Sequence, residues 1–406
     1  MTTKLPLSIK QLIELDACVR CECCRDNCPV YVASTEDSSI EFPQSYAGLI
    51  KQYNSLVKSQ YGLKALLFGR KKPSEEELAK FSKWMYNCTL CGKCGDFCPL
   101  LIQTYELGIS IRKWLIENNQ QPENFKLIQN AINESRNVLN MDNDDREMWS
   151  DFMDSPINVY EEGTEAETIY FVGCMIAFSP TLQDTAVAFA EILNKAKEDY
   201  TILGPEEWCC GYPLHIAGYE EGLNELLEHN IELVKIVGAK KVVFSCPSCY
   251  LMWKKYYQKD LPEVRFLHEV EYLDESIKEG KIKLNNTEMK ITYHDPCDLG
   301  RKLHIFEPPR DVIRSIPGVD FRELPHNKSD AWCCGGGGDV EIADESIPSK
   351  VAKLTFDEID EIQADTLVTA CGACKRTFLN AKRKYGKSYR IIDIAELVLE
   401  SMHDES

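Results

Sequence analysis

The segment Trp208-Cys209-Cys210-Gly211-Tyr212 returns 124 residues later as Trp332-Cys333-Cys334-Gly335-Gly336, and this repetition decides the fold. Upstream of each Cys-Cys-Gly stands a single cysteine, Cys174 and then Cys297. Downstream of each stands a pair, Cys246-x2-Cys249 and then Cys371-x2-Cys374. Equivalent positions are offset by 123, 124 and 125 residues, so a unit of this length is duplicated with almost no insertion. Within each unit short β-branched runs alternate with amphipathic helical stripes, the signature of an α/β fold. Thr168 to Val172 and Tyr200 to Leu203 read as strands, Asp184 to Lys195 and Leu223 to Val237 as helices. Lys241 to Ser245 delivers Cys246 and Cys249; Lys290 to Tyr293 and Thr366 to Ala370 do the same for Cys297, Cys371 and Cys374. Cysteines at the carboxyl ends of parallel strands occupy the rim where open α/β sheets bind ligands. Five on one rim indicate a cluster site.

The first third carries a different grammar. Cys18-x2-Cys21-x2-Cys24-x3-Cys28-Pro29 is repeated without departure as Cys88-x2-Cys91-x2-Cys94-x3-Cys98-Pro99. This is the bacterial ferredoxin spacing for two 4Fe-4S cubanes, in which the fourth cysteine of each run ligates the other cluster. The expected ligand sets are Cys18, Cys21, Cys24 and Cys98 for one cubane, and Cys88, Cys91, Cys94 and Cys28 for the second. A zinc ribbon is the rival, but zinc needs only four thiolates and not the twice-repeated terminal proline. Between the runs lie 59 residues, and the helical periodicity of Phe42 to Phe68 points to an inserted, helical ferredoxin domain. Cys23 falls outside the count as a spare thiol, or replaces Cys24 in a slipped register.

Composition narrows the class. Sixty-five acidic against 46 basic residues leave a net charge of −19, which disfavours nucleic acid as a partner. The chain is far longer than a disulfide-stapled secreted domain, its start lacks a signal-peptide core, and no run of about 18 apolar residues occurs. Its 19 cysteines therefore read as metal ligands in a cytoplasmic protein. The expected organisation is a ferredoxin-like domain over 1–129, an acidic solvated linker over 130–167 with at most a short helix, and the two repeats over 168–288 and 289–406.

The doubled Cys…Cys-Cys-Gly…Cys-x2-Cys pattern behind a two-cluster ferredoxin region resembles the family of heterodisulfide reductase D subunits. The K subunit of the dissimilatory sulfite-reduction membrane complex belongs to the same wider group. Tyr61-Gly62-Leu63-Lys64-Ala65, Tyr293-His294-Asp295-Pro296-Cys297, Glu307-Pro308-Pro309-Arg310 and Thr369-Ala370-Cys371 fit the resemblance, which spans essentially the whole chain. It implies two tandem α/β cysteine-rich (CCG) domains with pseudo-twofold symmetry. It also implies a noncubane 4Fe-4S cluster on each, held by Cys174, Cys209, Cys210, Cys246 and Cys249 and by Cys297, Cys333, Cys334, Cys371 and Cys374. Relatives in glycolate and lactate oxidation often lack some of these cysteines; here all ten are present, and only Cys23 is unassigned.

The implied function is the iron–sulfur catalytic subunit of a thiol–disulfide oxidoreductase, of the anaerobic kind found in methanogenesis, cleaving a disulfide such as coenzyme M–coenzyme B. The alternative is a non-catalytic electron-transfer subunit of a membrane redox complex in sulfur metabolism. Disulfide cleavage takes two electrons, which clusters deliver singly. No Gly-x-Gly-x-x-Gly opens a helix after a strand, so no flavin is expected. Without a spanning segment, electrons are expected from a partner, a membrane cytochrome b-type subunit or another iron–sulfur or flavin protein, which also holds the chain at the membrane.

Other candidates are weighed by position. His215 and His294 are candidate proton donors, with structural hydrogen bonding the commoner use of such residues. Arg301, Lys302, Lys375 and Arg376 follow cluster cysteines, to attract an anionic substrate, to hydrogen-bond a cluster, or simply to face solvent. Trp208 and Trp332 are expected as lids. The run Gly335 to Gly338 is expected to let the chain pass close to a cluster and to make the second site roomier; a phosphate loop is disfavoured by Asp339.

Overall fold

The structure is a computed structural model that describes residues 7–36, 50 and 74–402. All of the expected helical stretch Phe42 to Phe68 except Ile50 lies outside the described residues. The chain divides into two compact units. The first comprises residues 1–127, 213–220 and 332–354, the second residues 128–212, 221–331 and 355–406.

The first unit is helical. Ile9–Ala17 and Glu75–Tyr86 each open on a serine capping box, Ser8 with Gln11 and Ser74 with Glu77, which satisfies donors that the first turn leaves orphaned. Leu78, Phe81 and Met85 of the second helix are buried, as are Leu107, Ile111 and Trp114 of Thr104–Glu117. After the Cys-x2-Cys of each ferredoxin-type run comes one short helical turn, Cys23–Asp26 and Lys93–Asp96. The two runs share a backbone. Arg20 and Glu22 have φ of 57° and 65°, and their counterparts Leu90 and Gly92 have 52° and 81°. Two left-handed residues in each loop bend the chain around its sulfurs, a conformation that Gly92 adopts without strain.

The second unit is α/β. Its strands are β1 Thr168–Phe171, β2 Tyr200–Ile202, β3 Lys241–Phe244, β4 Arg265–His268, β5 Met289–Tyr293, β6 Val319–Phe321, β7 Thr366–Thr369 and β8 Arg390–Asp393. They form two four-stranded parallel sheets of identical topology, β2-β1-β3-β4 and β6-β5-β7-β8. The helix following β1, Gln183–Lys195, packs on the helix following β8, Ile394–Met402. Reciprocally, Glu269–Lys278 after β4 packs on Glu307–Arg314 after β5. This exchange of equivalent helices gives the pair of sheets its pseudo-twofold relation.

One expectation needs correction. The acidic stretch 130–167 is not simply a solvated linker. Lys126–Ser135 is an α-helix and Asn143–Phe152 a 3-10 helix whose Trp149 and Arg146 are buried while Asp144 and Asp145 stay outside. Its acidity marks one face of a packed element. The segment 332–354, carrying Cys333 and Cys334, falls in the first compact unit together with the ferredoxin-type helices.

Candidate metal centres

Cys18, Cys21, Cys24 and Cys98 line one cavity of the first unit, walled also by Val19, Pro99 and Leu100. The fourth cysteine of the second run thus sits among the first three of the first run. The other four gather likewise. Burial pushes the Cys94 thiol well up, and the charges of Cys88, Cys28 and Cys91 push it further. Cys28 is raised by burial and by Cys88 and Cys91. Four thiols, Cys91 buried and the other three half-buried, that oppose one another's ionisation are poor free nucleophiles, but iron coordination deprotonates such thiols outright. Both donor sets fit an iron–sulfur centre. Cys23 is exposed, and its thiol is raised by a hydrogen bond with Cys21.

The first CCG site lies within the second unit. Gly173 follows β1 and leads into Cys174; Cys246 and Cys249 follow β3 at the opening of the helix Pro247–Met252. Side-chain hydrogen bonds run from Cys174 to Cys209, from Cys209 to Cys210, and from Cys249 to both Cys210 and Cys246, so the five sulfurs form one contiguous group. Burial pushes Cys210 up, yet hydrogen bonds from Cys209 and Cys249 bring it down to about 6. Gly173 has φ +82°, and a Cβ there would lie 3.2 Å from Cys249 Sγ, so the glycine leaves the sulfurs their space. The Gly211 amide donates to Cys209 Sγ at 3.5 Å. Five clustered soft donors with room kept between them fit a metal cluster.

Behind these sulfurs is a device that sequence reading missed. Arg146 Nη2 donates to Glu207 Oε1 at 2.6 Å, both side chains being 2% exposed. Glu207 also accepts from the amides of Val172 and Gly173 at 2.8 Å each. The second half has its own version: Asp295, two residues before Cys297, takes both terminal nitrogens of Arg310 at 2.8 Å and the Lys328 amide at 2.7 Å.

Of the second site, Cys297 follows β5, and Cys371 and Cys374 follow β7 at the start of Gly372–Tyr385. Cys333 and Cys334 belong to the first unit, where the amides of Gly335 and Gly336 donate to their sulfurs at 3.3 and 3.4 Å. Two further glycines of the run pass close to backbone. A Cβ on Gly338 would lie 2.5 Å from the Cys88 carbonyl oxygen, and one on Gly337 2.8 Å from that of Thr89. The close neighbour of these two glycines is the second ferredoxin-type loop.

The remaining candidates are largely engaged. Arg301 is buried and donates to the carbonyls of Ser329 and Ala331. Lys302 pairs with Asp298, and Lys375 with Glu396. Arg376 is half-buried, His294 is buried edge-on to Phe378, and His215 is half-buried. Trp208 stacks on His229 with centroids 3.6 Å apart, and Lys93 lies over Trp332 at 4.2 Å, so both indoles are packed between partners.

Residues 14–102 match the family described as 4Fe-4S dicluster domain, and residues 168–254 and 291–379 each match the cysteine-rich domain family. The D subunit of a dihydromethanophenazine:CoB–CoM heterodisulfide reductase of Methanosarcina acetivorans is 34% identical over 407 residues, covering 98% of this chain and 96% of its own. The chain belongs to the family of heterodisulfide reductase D subunits. The Methanosarcina barkeri member is 35% identical over 410 residues, again covering 98% of this chain and 96% of its own. An EtfAB:quinone oxidoreductase of Syntrophomonas wolfei is 25% identical over 423 residues but is covered over only 59% of its length. Membership of the D-subunit family makes the chain an iron–sulfur oxidoreductase. Among the described residues no helix is long and apolar enough to cross a membrane.

Proposed function

We propose that the chain is the catalytic iron–sulfur subunit of a heterodisulfide reductase that cleaves a mixed disulfide of the coenzyme B–coenzyme M type named in its relatives. Cys18, Cys21, Cys24 and Cys98 hold one cubane and Cys88, Cys91, Cys94 and Cys28 the other. The CCG sets, Cys174, Cys209, Cys210, Cys246 and Cys249 and Cys297, Cys333, Cys334, Cys371 and Cys374, hold noncubane clusters. When bound, these groups supply single electrons and a Lewis-acidic iron that receives a thiolate.

The chain's own residues prepare the sites for that chemistry. Glu207 holds the Cys174 and Cys209 loops together through Gly173 and Arg146, and Asp295 with Arg310 braces the Cys297 loop. Glycine amides beside Cys209, Cys333 and Cys334 donate to sulfur, and burial of eight of the ten CCG cysteines excludes water. A partner protein carrying a cytochrome, flavin or iron–sulfur group supplies electrons and holds the chain at the cytoplasmic face of the membrane. In sequence the chain divides into the ferredoxin-like segment 1–129, the connecting segment 130–167 and the repeats 168–288 and 289–406.

The observation that carries this reading is the contiguous group of five sulfurs from Cys174 to Cys246. It is tested by electron paramagnetic resonance of the anaerobically purified, oxidised protein with and without coenzyme M and coenzyme B, alongside iron analysis. About sixteen irons per chain and a signal that appears only with one thiol are expected. The same iron content with no response to either thiol would instead leave an electron-transfer role.

A further inference from the structure

Arg112 sits in the helix Thr104–Glu117 of the first unit and is 0% exposed. Its guanidinium donates to the carbonyls of Cys88 at 2.7 Å, Gly338 at 2.8 Å, Ile216 at 2.9 Å and Met85 at 3.1 Å, and lies over the Tyr86 ring at 4.8 Å. A buried, unpaired ion is costly, and two other buried arginines among the described residues do have carboxylate partners. Arg146 has Glu207, and Arg310 has Asp295 and Glu323. Arg112 has only carbonyls and a ring: among the described residues no carboxylate pairs with it. What it does have beside it is Cys88, whose neighbours Cys28, Cys91 and Cys94 form the second ligand set. A thiolate-ligated iron–sulfur centre is anionic. It is the counter-charge that a guanidinium in this place requires.

We propose that Arg112 is a positioning residue that sets the electron affinity of the centre held by Cys28, Cys88, Cys91 and Cys94 and fastens its loop to the loop carrying Cys333 and Cys334. This inference rests on the reading that those four cysteines hold an iron–sulfur centre. A fixed positive charge favours the more negative, reduced state, so it raises the potential of the nearest centre. The same fork bridges the Cys88 and Gly338 carbonyls, so this centre, rather than the one nearer Cys18, is the neighbour of the second CCG loop. No bond forms or breaks at Arg112.

The test is a potentiometric titration of the full chain, followed by low-temperature electron paramagnetic resonance, with Arg112→Gln and Arg112→Lys beside the wild type. Iron analysis comes first. A wild type without two cubanes would sink the ligand assignment itself, a result distinct from any effect of Arg112. With both cubanes present, Arg112→Gln is expected to lower the midpoint of one centre and leave the other unmoved, while Arg112→Lys, which keeps the charge, stays near the wild-type value. Unmoved midpoints in both variants overturn the proposal, as does an equal fall in both, which would mean lost packing rather than lost charge. If Arg112→Gln does not retain iron, Arg112→Met replaces it beside Arg112→Lys: a fall in one midpoint with Met but not with Lys upholds the proposal, and unmoved midpoints in both overturn it.

Discussion

Arg146 and Glu207 are joined by two hydrogen bonds to one carboxylate oxygen, from Nη2 at 2.6 Å and from Nε at 3.2 Å, in a place that water does not reach. The same carboxylate receives the amides of Val172 and Gly173. One side chain thus fixes the exit of β1, where Cys174 begins, to the loop that bears Cys209 and Cys210. The pair matters for the site because its geometry is inherited by three of the five sulfurs.

Glu207→Gln leaves Arg146 buried and without its counter-charge. Breaking such a pair costs about 3–5 kcal/mol. Chemical denaturation should show a loss of that size, accompanied by loss of iron from the first CCG site. A variant of near wild-type stability would show that the ion pair braces nothing.

Crossed ligation predicts which iron each cysteine holds. Cys98→Ser should remove about four irons belonging to the centre of Cys18, Cys21 and Cys24, and Cys28→Ser about four from the other. Cys23→Ser, at an exposed position outside both rings, should keep the full complement. Iron analysis with spectroscopy of each variant checks this; loss of iron on replacing Cys23 would favour the slipped register.

Gly338 and Gly92 both have positive φ, 67° and 81°, but different surroundings. Gly92→Ala meets open space and should cost only the left-handed strain, about 1–2 kcal/mol. Gly338→Ala adds a Cβ 2.5 Å from the Cys88 carbonyl and must push the Cys333–Cys334 loop away. Thermal unfolding should rank Gly338→Ala as clearly the worse, with iron lost from the second CCG site. Equal effects would refute the close approach.

Stability should fall as pH rises toward neutrality, for a local reason. Burial, and then the Glu396 charge, raise Asp393 from an ordinary 3.8 to about 7, and burial raises its neighbour Glu269 as well. An acid whose folded value lies above its unfolded one keeps its proton when folded. Its contribution is complete below the unfolded value and is lost as pH climbs to about 7. Asp393→Asn cannot ionise and should flatten that slope. Parallel pH profiles of unfolding free energy for the two proteins would contradict this.

Much of the architecture is legible in the sequence, for physical reasons. The helix Leu223–Val237 coincides with its expected bounds, because a long amphipathic stripe ended by Gly238 leaves little choice. The edge strands β4 and β8 leave no such signal: each is four residues long, begins with an exposed arginine and ends on the polar residue that caps the next helix. Arg112 leaves a trace, a charge on the buried face of a helix, that only its surroundings can interpret.

What the sequence determined by itself is the covalent ledger: eighteen ligand-spaced cysteines in two grammars, each occurring twice, with strands ahead of the CCG cysteines. Spacing along a chain limits which thiolates can share a centre, so counting suffices there. Only the tertiary structure decided that 332–354 leaves its own repeat to pack with the ferredoxin-type helices, and that Glu207 and Arg112 stand behind the sulfurs. Those outcomes depend on burial and on which distant carbonyls and charges meet, and neither is encoded in the spacing of neighbouring residues.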